Sequence, residues 1–249
     1  MRSTVLALIG PSGSGKSATA AVLARRFGWA TLDEAYYRLT PRPRLTWTSP
    51  AALRALELRL VDEEARRFGE ARRLVAEGRT VVADTSFLDP VGYTAGLLAL
   101  GQATPRTFRA VVARARHLAA ARRLGVPDLT VRLAVAAATR KERAAGDPTR
   151  HPWALRARHE AVGRLETSVL VPCLRRALAG RLRTVRAGAP VEAVAERIRA
   201  VAEGTTPLHD PYTAAARALD ALVRAPWGRR GPASSGNLKR GTPSPRPPR

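Results

Sequence analysis

Residues 6 to 28 read LALIGPSGSGKSATAAVLARRFG, and their types and spacing point to phosphate chemistry. Gly10 is followed by four residues and then Gly15, Lys16 and Ser17, which is the pattern G-x-x-x-x-G-K-S. Glycines let successive backbone N–H groups turn inward and line a concave anion site. A helix opening near Lys16 aims the positive end of its dipole at the same place. A lysine at this position reaches the β- and γ-phosphates of a nucleoside triphosphate, and the hydroxyl after it ligates Mg²⁺. The expected triphosphate cradle is therefore Gly10, Pro11, Ser12, Gly13, Ser14, Gly15, Lys16, Ser17 and Ala18, with ATP and Mg²⁺ as the expected cofactors.

Other groups that could act on a phosphate lie further along. Asp84 ends the apolar run TVVAD, where a carboxylate can hold Mg²⁺ beside the loop. The bland alternative is a turn-capping aspartate. Asp33 and Glu34 end another short apolar run, and either could accept the proton of an acceptor hydroxyl or sit as an ordinary loop carboxylate. Arg140 and Arg143 are one helical turn apart, and Arg150 follows the turn at Asp147-Pro148. A basic loop closing over phosphates neutralises the charge that develops in phosphoryl transfer and excludes water. In so arginine-rich a chain these residues could equally be a solvated face. The expected catalytic set is Lys16, Asp33, Asp84, Arg140, Arg143 and Arg150, with Ser17 and Asp84 as the expected metal ligands. Tyr36, Tyr37, Trp47, Phe87 and Tyr93 fall in or near the same loops, where a base or sugar could stack on one or two of them.

The elements needed to position these groups are legible as an alternation of apolar runs and helical periods. Strands are expected at Thr4–Ile9, Trp29–Asp33, Thr80–Asp84, Leu129–Val135 and Leu182–Val185. Helices are expected after the glycine loop, from Ala51 to about Glu77, from Pro90 to about Leu100, over Phe108–Leu124, up to Ala145, from Trp153 to about Leu178, and from Pro190 to about Glu203. Strands separated by helices predict an α/β P-loop NTPase three-layer sandwich with a roughly five-stranded parallel sheet, its ligands outside the carboxyl ends of the strands. Past Gly204 the pattern fails. Residues 204–249 are expected to form a basic Pro/Gly/Arg-rich tail, mostly disordered. One piece within it, Tyr212 to Val223, has an apolar face that could dock on the core.

Composition adds bounds. The chain has 249 residues, 45% of them apolar, enough to bury a proper core. No run of 18 apolar residues suggests a spanning helix. Cys173 is the only cysteine, which fits a reducing cytoplasm. The formal net charge is +23. Part of that reflects an arginine-heavy composition, and part could draw weak nucleic-acid contact through the basic surface or tail. Asn237 is the only asparagine, so no guanine-reading N-K-x-D motif exists in the core. A small-molecule phosphate acceptor is expected and no membrane partner. The oligomeric state is not read from these residues, and a homodimer is left open.

The segments taken together resemble the P-loop nucleoside-monophosphate kinases, most of all the thymidylate-kinase branch. EGRTVVADTSFLDPVGYTAG is similar to that branch's G-x-x-V-x-x-D-R-Y segment and its later A-Y-Q-G, with Gly78, Asp84 and Tyr93 on the matching positions. PDLTVRLAV, from Pro127, resembles its P-D-L-T-x-x-L-x-V strand. The resemblance runs from about residue 3 to 203 and implies ATP-dependent phosphoryl transfer to a nucleoside or nucleoside monophosphate, with a lid at about 140–153. The chain departs from the pattern where the family's Arg is Thr85 and its Gln is Thr94. Arg38, Arg42 or Arg44 could replace the missing acceptor-phosphate ligand. A polynucleotide-end kinase and a non-kinase ATP-binding regulator remain as alternatives.

Overall fold

The architecture comes from a computed structural model, which describes residues 3–41, 47–145, 153–178 and 180–225. Five strands, β1 (Val5–Ile9), β2 (Ala30–Leu32), β3 (Val81–Asp84), β4 (Leu129–Ala134) and β5 (Leu182–Arg186), form one parallel sheet in the order β2-β3-β1-β4-β5. Alternation along β1 assigns its side chains to two cores. Val5 and Ala7 face one, Leu6 and Leu8 the other, and all four are buried. A strand buried on both faces reads as a continuous apolar run, and VLALI is one.

The helices are α1 (Lys16–Phe27), α2 (Ala35–Arg38), α3 (Pro50–Ala76), α4 (Asp89–Ala99), α5 (Pro105–Ala120), α6 (Ala137–Ala145), α7 (Trp153–Leu165), α8 (Val171–Ala177), α9 (Val191–Glu203) and α10 (Pro211–Arg224). α1 and α9 cover one face of the sheet through Leu23, Val194 and Ile198. α3, α5, α8 and α10 cover the other through Phe68, Val111, Leu174 and Leu219. The result is the three-layer sandwich expected from the alternation. The helix starts follow local chemistry. Ser49 and Thr104 accept hydrogen bonds from Ala52 and Thr107 N–H at 3.1 Å, each with a proline just after the cap.

Two expectations need correction. The single helix expected from Trp153 to Leu178 is instead α7, a π-helical turn at Glu166–Leu170, and α8. Pro172 has no N–H to donate, so the ladder is reorganised just before it. The boundary expected at residue 203 also moves outward. Ala215, Ala218, Leu219 and Leu222 of α10 are fully buried in the main core. Buried Asp128 accepts from Val5 N–H at 2.8 Å with one oxygen and from Leu208 N–H at 2.7 Å with the other, tying the approach to α10 onto β1. The packed structure therefore runs to residue 225, and only residues 226–249 of the expected tail lie outside the described residues.

Candidate functional site

The glycine loop lies between β1 and α1, at the carboxyl edge of the central strand, where the chain's crossovers leave the sheet in opposite directions. Gly10, Gly13 and Gly15 all have positive φ. At Gly10 the need for glycine is also steric, because a Cβ would stand 2.9 Å from the Leu133 carbonyl oxygen and 3.0 Å from Ser14 Oγ. No acidic residue occupies the first turn of α1, so nothing there competes with an anion for the dipole. Lys16 Nζ donates to the Gly10 carbonyl at 2.9 Å, spanning the mouth of the loop.

Register brings β1 beside β3, pairing Leu8 with Asp84. Ser17 Oγ donates to Asp84 Oδ2 at 2.5 Å. The other oxygen, Asp84 Oδ1, is buried with no protein partner. A hydroxyl and a carboxylate with spare oxygen capacity, set at an anion-binding loop, are a donor set that suits Mg²⁺. Among the described residues no group of three or more His, Cys, Asp or Glu side chains is gathered for a protein-only metal site. Thr85, next along, is a buried β-branched residue at φ 76°, a conformation that costs about 1–3 kcal/mol and is typical of functional turns.

Beyond Lys16 opens a cavity of about 200 Å³, room for a small molecule rather than a single water. Tyr36, Tyr37, Trp47 and Tyr93 line it, as does Thr85. Phe87 does not. It is buried against Phe68, with ring centroids 5.3 Å apart. Four carboxylates stand in the wall: Glu34 after β2, Glu57 and Glu64 from α3, and Asp89 at the start of α4. Burial pushes the Glu34 carboxyl up to about 7, helped by the charge of Asp89 and opposed by Lys16. Burial likewise pushes Glu57 up to about 8, against a hydrogen bond with Thr94.

The sequence reading did not single out α3, yet it supplies the cavity's most constrained groups. Arg67 is fully buried. Its guanidinium pairs with Glu64 and donates to the carbonyls of Asp84 at 2.8 Å and Leu32 at 3.3 Å. One side chain thus pins the ends of β2 and β3 to α3. Arg38 is committed elsewhere, to Glu63 at 3.0 Å and Glu70 at 2.7 Å, so it is no acceptor ligand. Arg42 and Arg44 lie outside the described residues.

The remaining expected residues divide. Asp33 is exposed and outside the cavity lining, and its neighbour Glu34 takes the place expected of it. A strand's side chains alternate, so a shift of one residue decides which carboxylate faces the cleft. Arg143 of α6 comes to the glycine loop: its guanidinium would be 3.4 Å from a Cβ on Gly15 and donates to the Ala187 carbonyl at 3.2 Å. With Ala187, Ala189, Val191 and Val194 it borders a second, largely apolar recess on the far side of the loop, shaped for the base end of a nucleotide. Arg140 lies on the same helix, half-buried, and does not line either cavity. Arg150 lies outside the described residues. Ser12 lines the first cavity and Ser14, Gly15 and Ala18 the second, so the loop forms the partition between the two.

Comparison with known proteins agrees with this geometry. A family model described as an AAA domain matches residues 5–148. Cytidylate kinases of Pseudomonas savastanoi pv. phaseolicola and Pseudomonas syringae pv. syringae are each 38% identical over 87 residues, covering 32% of this chain and 38% of those proteins. The chain therefore spans less than two-fifths of the curated relatives it matches. Among solved structures, deoxyadenosine kinase from M. mycoides with bound dATP superimposes with a TM-score of 0.60 at 14% identity, over 80% of this chain and 99% of that one. Thymidylate kinase from Candida albicans gives 0.55 at 15% identity, over 81% and 92%. Family match, loop geometry and sheet order converge: the chain belongs to the AAA-domain family of P-loop proteins, built on the fold of the nucleoside and nucleotide kinases.

Proposed function

We propose that the protein is a phosphotransferase that moves the γ-phosphoryl group of ATP to a nucleoside or nucleoside monophosphate. The observation that carries the reading is the glycine loop as a partition, with a recess for a nucleotide on one side and a cavity holding a raised-pKa carboxylate on the other. In this reading the loop N–H groups and Lys16 bind the β- and γ-phosphates, and Arg143 lies along the phosphate chain from the side of α6. Ser17 and Asp84 would hold Mg²⁺, which when bound neutralises charge on the phosphates. Glu34 accepts the proton of the attacking hydroxyl, or orients an acceptor oxygen already ionised. Trp47, Tyr36 and Tyr93 supply flat faces for a base or sugar.

The net charge of +23 would favour a polynucleotide end as acceptor. The carboxylate-lined cavity disfavours that reading, because a phosphate polymer would have to enter a negative wall. ATP turnover against nucleosides, nucleoside monophosphates and short oligonucleotides tests it. Lys16→Ala should lower transfer by orders of magnitude with an unchanged circular dichroism spectrum. Transfer at the parent rate in that variant would overturn the assignment.

A further inference from the structure

The acceptor cavity has a sign, and the sign is negative. Among its described lining residues Lys16 is the only cation, against Glu34, Glu57, Glu64 and Asp89. The arginines nearby are spent or face elsewhere. Arg67 serves Glu64 and two strand-end carbonyls, and Arg38 serves Glu63 and Glu70. Arg158 lies over the Trp47 ring at 4.2 Å, and Arg132 borders a smaller neighbouring recess. A dianionic acceptor phosphate in this wall would meet like charges at short range in a medium of low dielectric, which is costly.

One group in the wall also asks for a specific complement. Glu57 is 1% exposed, and its Oε2 is buried with no hydrogen-bond partner in the protein. Thr94 beside it already donates its hydroxyl proton to the Pro90 carbonyl, at 2.7 Å. A buried carboxylate oxygen left unsatisfied costs free energy until a donor reaches it. The donor has to come from the occupant of the cavity.

We infer that the acceptor is an unphosphorylated hydroxyl compound bearing an amino group, and that Glu57 selects it by accepting a hydrogen bond from that nitrogen. The inference rests on the phosphotransferase reading and narrows it. The amino group can be the exocyclic amine of a nucleoside base or the ammonium of an amino sugar or amino alcohol. In both cases the acceptor hydroxyl oxygen forms the new P–O bond, the bond from the γ-phosphorus to the β–γ bridging oxygen breaks, ADP leaves, and the hydroxyl proton passes to Glu34.

The test is ATP-dependent phosphorylation of adenosine, cytidine, glucosamine and ethanolamine, with AMP, CMP, uridine and glucose as controls. The expected result is that at least one amino-bearing, unphosphorylated compound is turned over with kcat/KM at least tenfold above that of its phosphorylated or amine-free counterpart. Nucleosides and amino sugars in separate arms identify the source of the nitrogen. Glu57→Gln should then raise KM for that acceptor at least tenfold and leave KM for ATP unchanged, a split that a merely structural role would not give. Preference for AMP or CMP over the nucleosides would overturn the proposal, as would equal turnover of amine-free acceptors or an unmoved KM in Glu57→Gln. ATP binding without transfer to any compound in the panel would instead overturn the phosphotransferase reading itself.

Discussion

At the scale of residues, the groups that decide the chemistry are carboxylates held away from water. Glu34 is raised to about 7 by burial and by Asp89, so it is part protonated at neutral pH and must ionise to accept a proton. The rate of transfer to a hydroxyl should rise with pH through about 7, and Glu34→Gln should lower kcat about 10²–10⁴-fold and flatten that limb. A pH–rate profile of both proteins reads it. Glu57 makes a stability prediction of opposite slope. Its folded pKa, about 8, lies above the ordinary carboxylate value of 4.5, so the folded state binds the extra proton. Its contribution is complete below about pH 4.5 and is lost as pH rises through 8. Glu57→Gln should flatten the fall in stability between those limits, worth a few kcal/mol at pH 8, and urea unfolding at pH 6 and pH 8.5 measures it. The glycine loop was legible because its chemistry depends on consecutive backbone positions. The α3 carboxylates were not, because charge in a helix usually faces solvent. The signal was present all the same: Leu53, Glu57, Val61, Glu64, Phe68 and Ala71 lie along one buried helical stripe, and charge inside an apolar stripe needs a reason.

At the scale of elements, the alternation of apolar runs with helical periods located every strand of the sheet to within a residue or two, since a central parallel strand is apolar on both faces. The last helix was harder to place. α10 is cut off from the core pattern by a stretch rich in Thr, Pro and Gly, and only its own periodicity linked Ala215, Leu219 and Leu222. What docks it lies far away in sequence. Asp128 holds Leu208 N–H, Arg116 of α5 pairs with Asp220 at 2.5 Å, and the Cys173 thiol of α8 donates to the Ala221 carbonyl at 3.4 Å. A chain ending at Glu203 should therefore lose about 5 kcal/mol or more, from two buried leucines, two alanines and the loss of an Asp128 partner. A chain ending at Ala225 should melt with the full-length protein. Thermal unfolding of the two truncations gives the answer, and equal melting temperatures would return α10 to the status of an appendage.

At the scale of the whole molecule, charge is distributed against function. The exterior carries a large positive excess while the acceptor cavity is lined by carboxylates. Residues 226–249 hold six basic and no acidic side chains. Deleting them should leave turnover of a small acceptor unchanged and reduce the salt slope of single-stranded DNA binding, each lost phosphate contact removing about 0.7 from the log–log slope. Fluorescence anisotropy between low and physiological salt reads that change. The buried Arg67 gives the molecule a mechanical asymmetry as well. By joining the ends of β2 and β3 to α3 it makes the acceptor wall a fixed jaw, one whose position cannot shift without dragging half the sheet. The opposite jaw has no such anchor. α7 meets the loop and α4 through small-residue contacts, Gly163 against Pro11 and Val162 against Gly96, which slide more easily than a buried ion pair breaks. Closure and release are then one-sided: the acceptor is seated against a rigid anvil, and the rhythm of turnover is set by the helices that swing toward it.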